Sequence, residues 1–271
     1  MTRVFIVRHG ATKMNDAGGV SVDRERGWSD VPLTKEGRQE GQRAGIKLRG
    51  KGIEAIVASD LARSHETAVI IGNLVGVKPQ FSHELRPWNL GSLTGKEMSE
   101  AQPVMEKYAR QNPDKPVPDG ESFNDFKNRA LAGVAKAIRQ AKGMKLLIVT
   151  HHRVERLLCG WDKAGQTDGK IDLNCFFQKG DPPGGIIEMN LNDKQLSASH
   201  SNSSSLRTET DDPVNFRERG AKTSSEDPRH HSLAIGGAHH LHMAGHITKK
   251  QRDDYQKAAR SHLMRAALRS R

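Results

Sequence analysis

The sequence is poor in cysteine and aromatic residues and has no long hydrophobic run. Its two cysteines, Cys159 and Cys175, cannot form a disulfide framework and lack metal-ligand spacing, so we expect a reducing compartment, the cytoplasm. No apolar run approaches the roughly 20 residues that cross a bilayer, which argues against a membrane-spanning chain. The first apolar run, Val4 to Val7, is too short for the core of a secretory signal.

Acidic residues are the scarcer charge: 32 Asp and Glu stand against 43 Lys and Arg, which gives a formal net charge of +11. Such an excess favours polyanionic partners or a pocket that collects small anions. Residues 193–271 carry 14 basic and 9 acidic residues and eight of the 13 histidines. This tail is therefore the more basic part of the chain per residue.

Short β-rich runs alternate with longer helical patterns as far as Leu191. The alternation predicts an α/β fold, a three-layer α/β/α sandwich with a mostly parallel central sheet. Cys175–Gln178 and Gly185–Leu191 flank a turn rich in Gly and Pro and are predicted to form a closing hairpin. The other predicted strands are Thr2–Val7, Ile53–Ala58 and Lys145–Thr150, and the predicted helices are Thr34–Arg49, Leu61–Leu74, Glu97–Arg110, Ser122–Ala141 and Val154–Trp161.

The alternation of strand and helix patterns ends after Asn192, so the first predicted domain covers residues 1–192. Residues 193–230 have few large apolar side chains and are predicted to be a disordered polar linker. Residues 231–271 are a basic, His-rich tail with a predicted C-terminal helix from Lys249 to about Arg269. The helix has one aromatic residue, Tyr255, and no stacking pattern for nucleic acid, so we expect an acidic macromolecule as its partner.

Basic side chains follow three of the predicted strands. Arg8, His9 and Gly10 come directly after the first strand, and His151 follows the strand that ends at Thr150. Ligands of α/β sheets usually bind at the carboxyl ends of the strands. Arg63 begins the helix after another strand, and together these side chains predict a cationic pocket at that edge of the sheet.

This combination resembles the histidine phosphatase superfamily, also called the phosphoglycerate mutase-like family. Its signature is an Arg-His-Gly after the first strand and a second His late in the domain. The run from Asp30 to Thr34 with Gly37, and the run from Pro118 to Ser122, are similar to further motifs of the family. The resemblance covers roughly residues 1–191, so it implies that the predicted domain 1–192 is a histidine phosphatase-like domain.

The resemblance implies a reaction. His9 would be the nucleophile that becomes phosphohistidine, and Arg8, Arg63 and His151 would hold the phosphoryl oxygens. Asn15 would add a neutral donor. Phosphoryl transfer depends mostly on positioning and electrostatic stabilisation, so no metal and no cofactor are expected. Gly10, Thr12, Asn15 and His152 complete the expected substrate-binding set.

The proton donor for the leaving group departs from the family pattern. Relatives usually carry a Glu at the position that Pro87 occupies here. Glu84 is the nearest carboxylate and is the candidate donor, with a solvated loop carboxylate as the alternative interpretation. Without a donor, the enzyme would favour substrates with good leaving groups, including phosphoramidates. His152 stands where many relatives have Gly, which would narrow the pocket or add a donor.

We interpret the chain as a metal-independent phosphomonoesterase of the histidine acid phosphatase type, acting on a small phosphorylated substrate. The resemblance implies that mutases of the family retain their intermediate with long insertions around the lid. The segment between Gly95 and Gly120 is short here, which favours hydrolysis over the alternative, a phosphoglycerate mutase-type transfer. A third hypothesis is a non-catalytic scaffold whose tail docks on a partner.

Two minor signals have simpler interpretations. The tail histidines, including His239 and His242, are interpreted as a solvated cluster rather than a metal site. Of the tryptophans, Trp28 and Trp88 lie in predicted loops and are expected to border the pocket, whereas Trp161 is expected in the core.

Overall fold

The computed structural model describes residues 2–15, 23–167, 169–192 and 195–196. Within them, a five-stranded sheet has the strand order β3-β2-β4-β1-β5. The strands are β1 (Thr2–Arg8), β2 (Ala55–Ser59), β3 (Pro79–Ser82), β4 (Leu146–Thr150) and β5 (Ile186–Leu191). The helices are α1 (Lys35–Leu48), α2 (Ala62–Val75), α3 (Met98–Gln111), α4 (Phe123–Ala141), α5 (His152–Lys163) and α6 (Leu173–Phe176).

The sheet is covered by helices on both faces, because its side chains alternate between two hydrophobic clusters. Val4 and Ile6 of β1 pack with residues of α3, α4 and α5. Phe5 and Val7 pack with residues of α1 and α2. Successive side chains of a strand point to opposite faces, so buried strands between two helical layers are apolar throughout. The predicted α/β/α sandwich is confirmed.

The strands that carry the predicted site residues run in the same direction. Strand β1 pairs in parallel with β4, and β4 pairs in parallel with β2. Their carboxyl ends therefore lie at one edge of the sheet, with Arg8 opposite Thr150. Only β5, antiparallel to β1, departs from this direction among the strands of the described residues.

Two helices begin where the sequence predicts, at residues whose side chains cap them. The Thr34 hydroxyl accepts the N–H of Gly37 at 3.1 Å and begins α1, as predicted. The Ser122 hydroxyl does the same for Asp125 at 3.0 Å and begins α4. Such caps satisfy N–H groups that have no partner within the helix.

The predicted closing hairpin is wrong in its first half. Cys175 and Phe176 belong to the short helix α6, whose cap Asp172 accepts the N–H of Cys175 at 2.8 Å. The apolar pattern there reflects burial of Phe176 in the core, and a run this short does not distinguish a strand from a helical turn. The second half, β5, is confirmed.

The expectation for Trp88 is wrong as well. Its side chain is fully buried and packs on Phe123 and Phe126, and its indole N–H donates to the carbonyl of Glu121 at 2.9 Å. Trp161 is buried in the same cluster, as expected.

The polar linker, the tail helix and the tail histidines predicted in residues 193–271 lie outside the described residues, apart from residues 195 and 196. None of the described helices combines the length and hydropathy needed to cross a membrane.

Candidate active site

The site lies at the edge of the sheet where β1 and β4 end. The N–H of His9 donates to the carbonyl of Thr150 at 2.9 Å, which places His9 beside His151. The two imidazole rings are 5.1 Å apart between centroids, at an angle of 62°. Parallel pairing of the two strands therefore brings together histidines that are 142 positions apart in the sequence.

The environment of His9 leaves one ring nitrogen with a lone pair. Its Nδ1 lies 2.8 Å from the carbonyl of Gly10, and a carbonyl only accepts, so Nδ1 carries the proton and Nε2 does not. Burial lowers the pKa of His9 well below its usual value, and the charges of Arg63, Arg26 and Arg8 lower it further. The ring is therefore neutral at pH 7, the form in which Nε2 is a nucleophile.

His151 is the second imidazole of the site. Its Nε2 is 2.8 Å from the hydroxyl of Ser59, while its buried Nδ1 has no hydrogen-bond partner. Burial, followed by the charge of Arg63, holds the pKa of His151 well below its usual value. It is a neutral ring with one nitrogen available to a ligand.

Arg63 is 1% exposed and sits at the start of α2. Its Nη1 donates to the carbonyl of Ser29 at 2.7 Å and its Nη2 to the carbonyl of Gly27 at 2.9 Å, whereas its Nε has no partner. Burial lowers the pKa of Arg63 to about 9, with the nearby charge of Arg26 acting in the same direction. A cation held there without a carboxylate contact would be stabilised by an anion.

Arg8 repeats this arrangement from β1. Its Nη1 donates to the carbonyl of Asp181 at 2.6 Å, and its buried Nε has no partner. Burial lowers the pKa of Arg8, and Arg26 lowers it further. The Arg8 guanidinium is therefore held through Nη1, whereas its Nε is left without a partner.

Three of the four predicted phosphoryl-contacting residues thus have a buried nitrogen without a partner. An unpaired buried donor costs roughly 1–3 kcal/mol, and in native proteins such groups are uncommon. Arginine donors in one cluster match the oxygens of a phosphate group. The site has the chemistry of an anion-binding pocket with a nucleophilic imidazole.

Arg26 is a site residue that the sequence analysis missed. It is nearly buried and forms an ion pair with Asp23 at 3.2 Å. Its charge is among the influences that lower the pKa of His9, His151 and Arg63. The sequence gives little indication of this role. Arg26 stands two residues before Trp28 and four before Asp30, in a stretch with no periodic pattern.

A buried ion pair next to the pocket was also missed. Arg153 Nη2 donates to Glu25 Oε1 at 2.6 Å, and both side chains are buried. The charge of Arg153 contributes to the lowered pKa of Arg8 and of His152. Because Glu25 directly precedes Arg26, this pair fixes the backbone that presents Arg26 to the site.

Gly10 allows the loop after His9 to pack closely against the first turn of α1. A Cβ on Gly10 would lie 2.2 Å from the carbonyl oxygen of Gly37, and a Cβ on Gly37 would lie 2.1 Å from the carbonyl oxygen of Ala11. The two glycines allow the first turn of α1 to touch this loop.

Thr12 and Asn15 form one turn. The side-chain carbonyl of Asn15 accepts the N–H of Thr12 at 3.0 Å and its hydroxyl at 3.2 Å. Thr12 is fully buried, so its hydroxyl serves the turn. The Asn15 side chain uses only its oxygen in this turn, and its NH₂ group is the remaining side-chain donor.

The carboxylate of Glu84 lies on the side of α4. It accepts the hydroxyl of Ser82 and is 3.6 Å from Lys136 Nζ. Burial would raise the pKa of Glu84, but the Ser82 hydroxyl, the local backbone and Lys136 together hold it below the usual value. Among the described contacts, none joins Glu84 to the histidines of the site.

The loop from Glu84 to Pro87 is held by Arg129. Its guanidinium donates to the carbonyls of Glu84 at 2.8 Å, Arg86 at 3.0 Å and Pro87 at 3.1 Å. The indole N–H of Trp28 also donates to the Pro87 carbonyl, at 2.8 Å. Pro87, where the resemblance predicts a Glu, is therefore well fixed, but its side chain has no proton to give.

His152 contacts the segment before β5. Its Nε2 accepts the backbone N–H of Gly180 at 3.1 Å, so the ring nitrogen that faces this segment is unprotonated. Burial, followed by Arg153, lowers the pKa of His152 well below its usual value.

The neutral histidines make the fold sensitive to acid. In the unfolded chain His9, His151 and His152 bind protons below about pH 6.5, whereas their folded pKa values are lower. The unfolded state then binds more protons, so the free energy of unfolding falls from pH 7 to pH 5, by up to about 2 kcal/mol per histidine. Glu155, whose pKa is raised to about 6, acts oppositely and offsets about 1 kcal/mol.

Urea unfolding at pH 7 and pH 5 measures this effect. His9→Gln removes one of the three groups and should reduce the difference between the two pH values. His83→Gln, at an exposed position, is the matched control and should leave it unchanged. An equal pH difference in both variants would contradict a neutral, buried His9.

Comparison with known proteins shows the family to which the chain belongs. A family model of the histidine phosphatase superfamily (branch 1) matches residues 4–171. A protein named probable phosphoglycerate mutase GpmB, from Salmonella arizonae, is 34% identical over 155 residues, which are 56% of this chain and 70% of the relative. The protein of the same name from Citrobacter koseri has the same identity and coverage.

Solved structures show the same fold. A mycobacterial glucosyl-3-phosphoglycerate phosphatase is 23% identical and superposes with a TM-score of 0.57, covering 70% of this chain and 93% of that one. A structure named mycobacterial hydrolase 1 is 24% identical, with a TM-score of 0.56, and covers 69% of this chain and 88% of that one.

Proposed function

Because the chain belongs to the histidine phosphatase superfamily, we propose that it is a phosphomonoesterase that works through a phosphohistidine. One observation carries the proposal. A neutral His9 with a lone pair on Nε2 lies in a cluster where Arg8 Nε, Arg63 Nε and His151 Nδ1 are buried donors or acceptors without partners. This arrangement suits a phosphoryl group better than a neutral ligand.

The proposed reaction has two steps. The lone pair of His9 Nε2 forms a bond to phosphorus while the bond to the ester oxygen breaks, and the released oxygen takes up a proton from the solvent. Water then attacks phosphorus and gives up a proton to the solvent, the N–P bond breaks, and inorganic phosphate leaves with His9 restored. Arg8 and Arg63 contact the phosphoryl oxygens in both steps and stabilise the charge that develops there. We propose that these guanidinium groups take the place of a metal.

Mutase activity is the second candidate, supported by the names of the curated relatives. A mutase retains a bisphosphorylated intermediate, whereas a phosphatase releases phosphate to water. Incubation with phosphoglycerate separates the two: we expect inorganic phosphate, and isomerised phosphoglycerate without phosphate release would establish the mutase. Either product would exclude a scaffold without activity.

Because Pro87 cannot donate a proton, the rate of the reaction should depend strongly on the leaving group of the substrate. General acid catalysis contributes on the order of 10²–10⁴-fold, and a phenolate with a low pKa needs it least. We therefore expect kcat/KM for nitrophenyl phosphate to exceed that for glycerol phosphate by a factor in this range. Comparable rates for both substrates would show that Glu84, or another group, donates the proton.

Pro87→Glu tests the same idea in the opposite direction. The new carboxyl group should raise kcat/KM for glycerol phosphate by roughly tenfold or more, while nitrophenyl phosphate changes little. Pro87→Gln is the matched control, because it makes the same backbone change and has nearly the same shape without a proton to donate. Equal rates for the two variants would refute a deficit of acid catalysis at this position.

A further inference from the structure

The segment Gly180–Gly185 lies against the end of β1. Backbone hydrogen bonds join the N–H of Gly184 to the carbonyl of Arg8 at 3.0 Å, and the N–H of Arg8 to the carbonyl of Gly185 at 3.2 Å. The guanidinium of Arg8 adds a third bond, from Nη1 to the carbonyl of Asp181 at 2.6 Å. The position of this segment therefore determines where the guanidinium of Arg8 points.

Two side chains of α5 hold the opposite side of the segment. His152 Nε2 accepts the N–H of Gly180, and Glu155 Oε1 accepts the N–H of Asp181, both at 3.1 Å. These are consecutive amides, and both acceptors belong to the first turn after β4. The site strand β4 is thus connected through α5 to the site strand β1.

The contact has no free space at Gly180. A Cβ there would lie 2.5 Å from Cδ2 of His152 and 2.7 Å from Oε1 of Glu155. Glu155 itself is 1% exposed. A carboxylate this deeply buried is costly unless it is paired or hydrogen-bonded, and the N–H of Asp181 supplies such a hydrogen bond.

We propose that Glu155 is a positioning residue: by holding the backbone of Asp181 it fixes the guanidinium of Arg8, with His152 as a second anchor. Glu155 accepts the N–H of Asp181, and the carbonyl of the same residue accepts the guanidinium of Arg8. The N–H and the carbonyl are joined through the Cα of Asp181, so Glu155 acts on Arg8 by fixing the position of this residue. Glu155 does not contact the phosphoryl group, and the inference rests on the proposed role of Arg8 in holding that group.

The charges around Glu155 define the expected pH dependence. Burial raises its pKa to about 6; the Asp181 carboxylate also raises it, whereas the Asp181 N–H, Arg8 and Arg156 lower it. Above that pH the ionised form is the stronger acceptor and attracts the guanidinium of Arg8. Below it, the neutral form loses this attraction, so activity should fall.

The test is a double-substitution cycle of Glu155→Leu and Arg8→Ala, read by the dissociation constant for inorganic phosphate and by kcat. A misplacement of about 1 Å can cost on the order of 10²-fold in rate, so Glu155→Leu should lower kcat by roughly 10- to 100-fold and weaken phosphate binding. In the Arg8→Ala background the same change should have almost no further effect. An equal loss in both backgrounds would mean that Glu155 acts independently of Arg8, and would overturn the proposal.

Two more variants cover the case in which Glu155→Leu fails to fold. Glu155→Gln keeps an oxygen that accepts the Asp181 N–H but is neutral at every pH. At pH 8 its kcat/KM should therefore fall to the level that the native protein shows below pH 6, and it should lose the change near pH 6 that distinguishes the native protein. Gly180→Ala should reproduce the loss of phosphate affinity from the other side of the contact. Lys163→Ala, at the end of α5 in an exposed ion pair with Asp172, is the control and should match the native protein.

The two proposals fail in different ways. Native protein that forms no phosphohistidine, while Glu155→Leu still weakens phosphate binding only when Arg8 is present, would refute the phosphatase and leave the positioning role standing. Native protein that turns over normally, with a Glu155→Leu variant that is folded and equally active, would refute the positioning role alone.

Discussion

Replacement of His9 by alanine is expected to abolish turnover and to remove a phosphoryl group that the native protein carries during the reaction. The reason is that the neutral ring of His9 presents Nε2 as the nucleophile. A catalytic nucleophile cannot be replaced by its neighbours, so the loss in kcat should be at least on the order of 10³-fold.

The measurement is intact-protein mass after incubation with nitrophenyl phosphate and quenching in an alkaline denaturant. Native protein should gain the mass of one phosphoryl group, and mild acid should remove it, because phosphohistidine is acid-labile. His9→Ala should gain nothing. His83→Ala changes an exposed histidine and should be labelled like the native protein. Labelling of His9→Ala to the native extent would place the nucleophile elsewhere.

The residues that could be predicted from the sequence are those that stand directly beside a periodic element. His9 and His151 follow apolar runs that had to be buried strands, and parallel pairing of β1 with β4 then brings them together. The helix starts at Thr34 and Ser122 were readable for the same reason, since each of these residues precedes a helical pattern and has a side chain that accepts an N–H.

The residues that were missed come from loops. Arg26 has no neighbouring pattern that fixes its direction, and it reaches the site because Gly27 and Ser29 are held by Arg63. Trp88 is also in a loop, but its ring packs in the core through contacts with Phe123 that are distant in sequence. Local patterns carry no information on such contacts, because they depend on where the tertiary fold brings each loop.

Glu84 shows a further limit of counting along a motif. Its separation from the usual donor position is three residues, which suggested one helical turn, and the structure does place it in a short helical turn from His83 to Leu85. The turn directs the carboxylate to Ser82 and to the Lys136 side of α4. Counting along the motif does not tell where the Glu84 side chain points, because that direction depends on its contacts with Ser82 and with Lys136 of α4.

Arg63→Lys is expected to be almost as damaging as Arg63→Ala, with a loss of kcat/KM on the order of 10²–10⁴-fold in both. The guanidinium makes two bonds to the carbonyls of Ser29 and Gly27 and still has Nε for a ligand. A lysine ammonium is a single point charge on a flexible chain and cannot reproduce this planar set of donors. Steady-state kinetics on nitrophenyl phosphate measures the loss, and a lysine variant with near-native kcat/KM would refute it.

Arg38→Ala is the matched control for the loss of one positive charge. Arg38 pairs with Glu66 on the surface, with about half of its side chain exposed, and such a pair contributes roughly 0–1 kcal/mol. Its kcat/KM should stay within about twofold of native, because the charge is separated from the pocket and screened by solvent.

Stability should separate the binding role of Arg63 from a purely structural one. Without phosphate, the buried cation has carbonyl partners but no contacting carboxylate, so its removal should change the free energy of unfolding far less than it changes the activation free energy. With phosphate, the native protein gains stability according to RT ln(1 + [L]/Kd), and Arg63→Ala should gain less because its Kd is higher. Thermal unfolding over a series of phosphate concentrations shows the difference directly. An equal gain in both proteins would mean that the anion binds without Arg63, and the pocket would have to be assigned to other residues.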